Sequence, residues 1–268
     1  MTDTFDARPL IGAAAIVTGA GTGIGAALAV RLAGQGAHVL VAYRSSGEEA
    51  EAVAGACRAA GGDGTAVRAD VASDADCRNL VAALPDLPLA VLVNNAGTTR
   101  PVPLGDLDAL TEDDFHTAYD VNVVGAFRCA RAARARLDAG TAAMGVPAAI
   151  LNVSSIAGVT GRGSSVAYAA SKAALNGLTL SLARALAPKV RVNAVCPGFV
   201  DSGWWERHAG ADRRAAIREG VAASTPLRAA STPEDVADAA LPFCLPAFRH
   251  VTGETLLIDA GMHLDLGA

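Results

Sequence analysis

The chain has 268 residues, of which 51% are hydrophobic and 18% charged, and its formal net charge is −5. It is long enough to bury a substantial core, and its mild acidity argues against a large surface for nucleic acid or anionic membranes. Its five cysteines and five histidines lack CxxC, HxxxH and HExxH spacings, so we expect neither a disulfide framework nor a metal site. The segment before Leu10 carries more acids than bases, unlike a signal peptide, and we therefore expect a cytoplasmic protein.

Short apolar runs alternate with alanine-rich helical patterns along the whole chain. Strands are predicted at 13–18, 37–43, 64–70, 89–95, 148–154, 190–195 and 254–259, and helices near 24–35, 47–60, 74–84, 112–138, 165–187 and 233–245. Most of the strands are apolar throughout, which is typical of parallel strands covered by helices on both faces. The pattern therefore predicts an α/β fold. Residues 1–268 are expected to form one Rossmann-like domain with a doubly wound parallel sheet of about seven strands.

Residues 199–232 are predicted to be a long irregular connection within this domain. Connections of that length in compact domains are usually functional, so we expect a lid over the substrate. The segment contains Trp204 and Trp205 in a chain with only 4% aromatic residues. The adjacent indoles would form either an apolar cover for the substrate or a packing anchor.

A glycine-rich stretch, "TGAGTGIG" at 18–25, separates the first predicted strand from the first helix. Glycines at this position allow the backbone to approach a pyrophosphate at the helix N-terminus, although a simple tight turn is the alternative. The spacing alone fits two fingerprints. Gly21, Gly23 and Ala26 match GxGxxG/A, whereas Gly19, Gly23 and Gly25 match GxxxGxG.

The end of the second predicted strand indicates which dinucleotide is used. The strand ends in Tyr43 without an acid, and Arg44, Ser45 and Ser46 follow. An acid at this point would hold the ribose 2′-hydroxyl of NAD, whereas a guanidinium with hydroxyls suits the 2′-phosphate of NADP. We therefore predict NADP as the preferred cofactor, with NAD as the alternative.

Motifs in a fixed order give the chain a family resemblance over about 10–263. They are "TGAGTGIG" (18–25), "DV" (70–71), "NNAG" (94–97), "VNVVGAF" (121–127), "NVSS" (152–155), "YAASK" (168–172) and "NAVCPGFV" (193–200). With these motifs the chain resembles the short-chain dehydrogenase/reductase family, and in overall sequence style it is similar to β-ketoacyl-acyl-carrier-protein reductases. The resemblance selects Gly19, Gly23 and Gly25 as the fingerprint.

The resemblance also implies the site residues. Expected catalytic residues are Asn122, Ser155, Tyr168 and Lys172, and Ser155 is preferred to Ser154 because the family serine stands thirteen residues before the tyrosine. Expected cofactor residues are Gly19, Thr22, Gly23, Ile24, Gly25, Tyr43, Arg44, Ser45, Asp70, Val71, Asn95, Ala96, Gly97, Tyr168, Lys172, Pro197, Gly198, Val200 and Ser202. Expected substrate contacts are Ser155, Tyr168, Trp204 and Trp205. Thr22 stands where many NADP-using members have a basic residue, and Ser202 stands where the family often has a threonine.

Tyr168 and Lys172 are four residues apart and share a helix face. An ammonium beside a phenol favours the phenolate, so we expect the pKa of Tyr168 to fall from about 10 towards about 8. Tyr168 would then be a general acid tuned near working pH. Ser155 would polarise a ketone carbonyl that accepts hydride from NADPH. By resemblance, Lys172 also holds the nicotinamide ribose and Asn122 positions a water.

The leading prediction is an NADP-preferring carbonyl reductase or alcohol dehydrogenase, which could act on a 3-oxoacyl thioester. The alternative is a dehydrogenase that oxidises a sugar, a sterol or another secondary alcohol. A non-enzymatic dinucleotide sensor is disfavoured, because such proteins typically lose the serine, tyrosine or lysine.

Two helical regions of the sequence bear on possible protein partners, an acyl carrier protein and further copies of this chain. Arg128, Arg131 and Arg134 recur every three residues, and the stripe is either a contact for an acidic acyl carrier protein or a solvated face. The family resemblance implies a homotetramer or homodimer packed through the helices at 112–138 and 165–187.

Overall fold

A computed structural model describes residues 8–203 and 211–264. Its centre is a parallel seven-stranded sheet in the order β3-β2-β1-β4-β5-β6-β7. The strands are β1 (Ala14–Thr18), β2 (His38–Tyr43), β3 (Asp63–Arg68), β4 (Leu89–Asn94), β5 (Ala148–Val153), β6 (Val190–Pro197) and β7 (Thr255–Ile258). The seven predicted strands are all confirmed, with ends shifted by one or two residues. Their apolar runs are long because β1, β4, β5 and β6 are buried along their whole length.

The connections between strands are mainly helical. The helices are α1 (Gly23–Gly34), α2 (Gly47–Ala59), α3 (Asp74–Ala82), α4 (Glu112–Tyr119), α5 (Gly125–Met144), α6 (Ala157–Thr160), α7 (Val166–Leu186), α8 (Ala211–Ser224) and α9 (Pro233–Ala240). Buried residues of α1, α2 and α9 pack on one face of the sheet, and those of α3, α5 and α7 pack on the other. Within the described residues, none of the helices is long and apolar enough to cross a membrane.

Three helical predictions need correction. The single helix predicted at 112–138 is interrupted by a π-helical turn at Asp120–Val124, and Asn122 lies in that turn. The irregular segment predicted at 199–232 contains α8, whose alanines and arginines are good helix formers. The last helix ends at Ala240 rather than near 245, because Pro242 cannot continue an α-helical hydrogen-bond ladder.

The strand order places a crevice between β1 and β4. Their following connections leave toward opposite faces of the sheet, and ligands of doubly wound sheets bind beyond the carboxyl ends of the strands at such a point. The glycine-rich stretch follows β1, and the "NNAG" segment follows β4. Both motifs therefore lie at the position where the fold leaves room for a ligand.

Candidate active site

The glycine-rich stretch at 18–25 packs so closely on the segment after β4 that Gly19 and Gly25 have no room for a Cβ. Gly19 has a φ of +63°, and a Cβ there would lie 2.9 Å from the Cα of Ala96. A Cβ on Gly25 would overlap the Asn95 side chain and lie 2.6 Å from the carbonyl oxygen of Gly19. The loop thus packs directly on the segment after β4, and its open side faces a cavity at the start of α1. This bare backbone cradle fits the pyrophosphate of a dinucleotide.

Thr18 and Asn95 hold the ends of β1 and β4 together. The Thr18 hydroxyl accepts hydrogen bonds from the backbone N–H groups of Asn95 (3.0 Å) and Ala96 (3.1 Å). The Asn95 amide in turn donates to the carbonyl oxygens of Thr18 and Gly19, both at 2.9 Å. These bonds fix the position of the glycine loop relative to the next strand.

A first cavity of about 370 Å³ opens along this edge of the sheet. The predicted cofactor residues that line it are Gly19, Thr22, Gly23, Ile24, Tyr43, Arg44, Ser45, Asp70, Val71, Asn95, Ala96, Gly97, Val200 and Ser202. Sequence reasoning missed Ala69 and Val121 in the lining, and it mentioned Ser46 without assigning it to the site. The alternation of strands and helices identifies the loops that reach this edge of the sheet. It does not identify which apolar residues of those loops face the cavity.

The end of β2 presents hydroxyls and one guanidinium to this cavity. Arg44 and Ser45 are exposed. Ser46 lies against Gly21, and a Cβ added to Gly21 would overlap the Ser46 hydroxyl. Among the described lining residues, Asp70 is the one acid, and it follows β3 rather than β2. The end of β2 therefore carries no carboxylate that could bind a ribose diol.

A second cavity of about 580 Å³ adjoins the first and shares six lining residues with it: Ile24, Asn95, Gly97, Thr98, Val200 and Ser202. The predicted residues Ser155, Tyr168, Lys172, Pro197 and Gly198 line this second cavity. The charged groups among its described lining residues are the cations of Arg162 and Lys172. The two cavities together give space for a dinucleotide with a substrate at one end.

Tyr168 and Lys172 lie together on α7, as their spacing predicts. The ammonium of Lys172 is 5.7 Å from the centre of the Tyr168 ring and donates a hydrogen bond of 2.8 Å to the carbonyl oxygen of Val153. Lys172 is only 4% exposed. The lysine is thus held beneath the phenol by the end of β5.

The predicted fall in the pKa of Tyr168 is wrong for the protein alone. Burial raises the pKa of Tyr168, and a hydrogen bond with Ser155 acts in the opposite direction without reversing the shift. Burial also lowers the pKa of Lys172 to about 8. Desolvation disfavours the charged form of each group, and here it outweighs the attraction between ammonium and phenolate. At neutral pH the phenol is therefore protonated.

The neighbouring serines point to different partners. The Ser155 hydroxyl lies beside the Tyr168 phenol and acts to lower its pKa, and the Ser155 oxygen accepts from the backbone N–H of Ala157 at 3.1 Å. The Ser154 hydroxyl instead donates to the carbonyl oxygen of Lys172 at 3.1 Å. Of the two serines, Ser155 is therefore the one whose hydroxyl lies next to the Tyr168 phenol.

Asn122 lies behind the cavity wall rather than in it. Its side-chain oxygen accepts from the backbone N–H of Thr98 (2.8 Å), and its amide donates to the Thr98 carbonyl (3.0 Å) and to Ser171 (2.9 Å). The Ser171 hydroxyl donates to the carbonyl oxygen of Tyr168 at 2.7 Å. The Asn122 side chain therefore joins the segment after β4 to α7. Sequence reasoning missed Ser171, although it directly precedes Lys172.

Three further sets of residues from the sequence analysis are the two tryptophans, the arginine stripe and Gly25. Trp204 and Trp205 lie outside the described residues. The arginine stripe is not a uniform basic surface, because Arg128 pairs with Asp120 at 2.8 Å and Arg131 pairs with Asp74. Gly25 does not line either cavity, and it acts only through the packing of the loop.

Comparisons with known proteins agree with the fold and identify the family. A family model described as enoyl-(acyl carrier protein) reductase matches residues 19–263. A protein of Streptomyces violaceoruber, named as ketoacyl reductase 2 of the granaticin polyketide synthase, is 41% identical over 204 residues, which are 75% of this chain and 78% of that protein.

Two solved structures are similar over nearly their whole length. A structure from Burkholderia xenovorans, described as a short-chain dehydrogenase/reductase, superposes with a TM-score of 0.86 at 38% identity and covers 94% of this chain and 98% of that one. The NADH-dependent reductase A1-R′, responsible for alginate metabolism, has a TM-score of 0.83 at 29% identity and covers 95% and 98%. The chain therefore belongs to the short-chain dehydrogenase/reductase family of oxidoreductases, which use a nicotinamide dinucleotide and act on CH–OH and C=O groups.

Proposed function

We propose that this chain reduces a ketone with NADPH and that Ser155, Tyr168 and Lys172 are its catalytic residues. The observation that carries the proposal is their common position in the second cavity, next to the cradle of glycines after β1. The dinucleotide, when bound, supplies the hydride. The protein's part is to orient the carbonyl and to provide the proton.

Tyr168 donates the proton to the oxygen that becomes the alcohol. Because burial raises its pKa, the phenol is protonated throughout the neutral range and is ready to act as an acid in the reductive direction. In the oxidative direction the same group must first lose its proton. The proposal therefore predicts that alcohol oxidation, but not ketone reduction, becomes faster as the pH rises above neutral.

Ser155 and Lys172 support this transfer. The Ser155 hydroxyl lies beside the Tyr168 phenol in the second cavity and is positioned to donate to the same carbonyl oxygen and to polarise it. Lys172 is positioned to hold the nicotinamide ribose and to stabilise negative charge on the phenol by its positive charge. Asn122 keeps the segment at Thr98 against α7 and so shapes the cavity.

The preference for NADP over NAD rests on Arg44 and the adjacent hydroxyls. They line the first cavity without a carboxylate at the end of β2. A guanidinium and hydroxyls bind a dianionic phosphate more strongly than a diol. The similar A1-R′ enzyme is named as NADH-dependent, so the preference has to come from this chain's own residues.

A 3-oxoacyl thioester is the second candidate substrate. The Streptomyces relative is named as a ketoacyl reductase, and the family model is named for reduction of an enoyl group on an acyl carrier protein. Arg128 and Arg131 are held in ion pairs with Asp120 and Asp74, so a carrier protein that bound the whole stripe would have to displace those two pairs. The segment 199–232, including α8, is proposed to cover the substrate.

The test is a panel of ketones and secondary alcohols, with acetoacetyl-coenzyme A included, assayed with NADPH and with NADH. We expect turnover of at least one ketone and a kcat/KM for NADPH about tenfold or more above that for NADH. If NADH were the better cofactor by about tenfold, the cofactor assignment would be wrong while the reaction class would stand. If acetoacetyl-coenzyme A were the one compound of the panel to be reduced, the substrate would be assigned as a 3-oxoacyl thioester rather than as a simple ketone.

A further inference from the structure

Three successive residues at the carboxyl end of β5 make hydrogen bonds to α7. The Asn152 amide donates to the Thr179 hydroxyl at 2.9 Å, the Val153 carbonyl accepts from the Lys172 ammonium at 2.8 Å, and the Ser154 hydroxyl donates to the Lys172 carbonyl at 3.1 Å. Two of these bonds involve Lys172 itself. The bond between Asn152 and Thr179 does not, yet it joins the same strand end to the same helix.

This bond belongs to a buried polar chain that crosses three elements. The Asn94 amide, at the end of β4, donates to the side-chain oxygen of Asn152 at 2.9 Å. The Thr179 hydroxyl in turn donates a hydrogen bond to the carbonyl oxygen of Leu175 at 2.9 Å. Asn94, Asn152 and Thr179 are 4%, 0% and 0% exposed. Because a buried polar group that loses its partner is costly, such a chain permits only one alignment of the elements that it joins.

The three joined elements each lead into the candidate site. β4 continues into Asn95 and Gly97 at the dinucleotide cavity, β5 continues into Ser155, and α7 carries Tyr168 and Lys172. Thr179 follows Lys172 by seven residues, or about 10 Å along the helix axis, so it does not touch the reacting atoms. A helix is stiff over this length, and a change of its register at Thr179 therefore moves the phenol as well.

We propose that Asn152 and Thr179 are positioning residues whose hydrogen bond sets the register of α7 on β5 and thereby the approach of Tyr168 to Ser155. The proposal rests on the catalytic roles that the proposed function gives to Ser155, Tyr168 and Lys172. Thr179 lines neither cavity, so it makes no direct contact with the dinucleotide. Its effect should thus fall mainly on kcat, and it should reach the KM for NADPH only through a small displacement of Lys172.

The test replaces Thr179 by valine, which keeps the shape and removes the acceptor of the Asn152 amide. With the best ketone of the panel, Thr179→Val should lower kcat by about tenfold and leave the KM for NADPH within about twofold. In the oxidative direction, the alkaline rise of the pH–rate profile should move to higher pH, because the ammonium and the phenol would be less well aligned. Thr179→Ser, which keeps the hydroxyl, should restore both kcat and the profile.

Thr141 provides a matched control at the other end of the same strand. Its hydroxyl donates to the Lys189 carbonyl at 2.6 Å and accepts from the backbone N–H of Ala148 at 3.0 Å, where β5 begins. Thr141→Val also removes a hydrogen bond between β5 and its surroundings, but at the edge away from the site. It should lower the melting temperature without changing the pH profile or altering kcat beyond about twofold.

The positioning role is overturned if Thr179→Val, folded by circular dichroism, keeps the wild-type kcat within about twofold and the wild-type pH profile. If the valine variant does not fold, Thr179→Ala is measured by the same criteria, since the smaller side chain leaves space around the amide. Tyr168→Phe, measured alongside, separates the two claims. An active Tyr168→Phe enzyme would refute the proposed function, whereas an inactive one with an unaffected Thr179→Val enzyme would refute the positioning role alone.

Discussion

At the scale of single residues, burial rather than pair attraction determines the charge state of the candidate site. Lys172 and Tyr168 both shift toward their neutral forms, with the pKa of Tyr168 raised and that of Lys172 lowered to about 8. The sequence spacing predicts that the two groups meet, and they do meet. The spacing does not show how completely the fold excludes water from these two groups. The direction of the shift in the Tyr168 pKa therefore could not be predicted from the spacing alone.

The lowered pKa of Lys172 has a consequence for stability that can be measured. The folded pKa of about 8 lies below the value of about 10.4 for an unfolded chain, so the folded protein binds fewer protons between these two pH values. The free energy of unfolding contributed by this group therefore rises with pH across that window.

Lys172→Met removes this contribution. The free energy of unfolding of the variant should exceed that of wild type by most below about pH 8. This difference should decrease by up to about 3 kcal/mol between about pH 8 and about pH 10.5. Urea unfolding of both proteins at intervals across this range measures the difference. A difference that stays constant with pH would mean that Lys172 titrates normally in the folded protein.

Arg44 tests the cofactor preference at the same scale. Arg44→Ala should reduce the kcat/KM for NADPH by about tenfold or more, because a charge-assisted hydrogen bond to the 2′-phosphate is lost. The kcat/KM for NADH should stay within about threefold, since no such phosphate is present. Arg184→Ala, which removes an exposed guanidinium on α7, is the matched control. Equal losses with both cofactors would show that Arg44 has another role.

At the scale of elements, the turn from β1 into α1 depends on close backbone packing. Gly25 and Gly34 lie on the same helix, but a Cβ on Gly25 would overlap the Asn95 side chain, whereas a Cβ on Gly34 would meet nothing within 4 Å. Gly25→Ala should thus weaken binding of NADPH by about tenfold or more, because the loop must move to make room. Gly34→Ala should bind normally and be as stable as wild type or up to about 1 kcal/mol more stable.

Isothermal titration of both glycine variants with NADPH provides the measurement, and thermal unfolding verifies that each is folded. Normal binding by Gly25→Ala would mean that the loop tolerates a side chain. It would also remove the packing argument for the pyrophosphate cradle.

The elements that the sequence predicts well are those with a single strong pattern. Most of the seven strands are apolar because helices cover both faces, and all seven lie within two residues of their predicted ends. The π-helical turn at Asp120–Val124 was not predicted, because its residues fit an α-helical pattern equally well. The link between Asn152 and Thr179 also escaped prediction, since each residue by itself is an ordinary polar interruption of an apolar segment.

At the scale of the whole molecule, α5 and α7 leave apolar side chains uncovered. Phe127 and Leu180 are 40% and 50% exposed on the two helical regions that the family resemblance assigns to subunit contacts. Burial of such side chains against a second copy is favourable, and we expect a homotetramer or homodimer.

Charge placed on these faces should separate the subunits. Phe127→Glu and Leu180→Glu should each shift the protein from a species of two or four chains to a smaller one in sedimentation velocity experiments. Val159→Glu, at an exposed apolar side chain on the short helix α6, is the comparison that should leave the assembly unchanged. A wild-type protein that sediments as a monomer at all concentrations would contradict the assembly through α5 and α7.

The central claim is that Tyr168 exchanges the proton with the substrate oxygen, and it is tested most directly by Tyr168→Phe. The measurement is the single-turnover rate of NADPH oxidation by the best ketone of the panel, with the Kd for NADPH determined on the same preparation. Loss of the general acid should lower the rate by about 100-fold or more, while the Kd stays within about threefold of wild type. A Tyr168→Phe enzyme that binds NADPH normally and retains more than about a tenth of the wild-type rate would contradict the assignment.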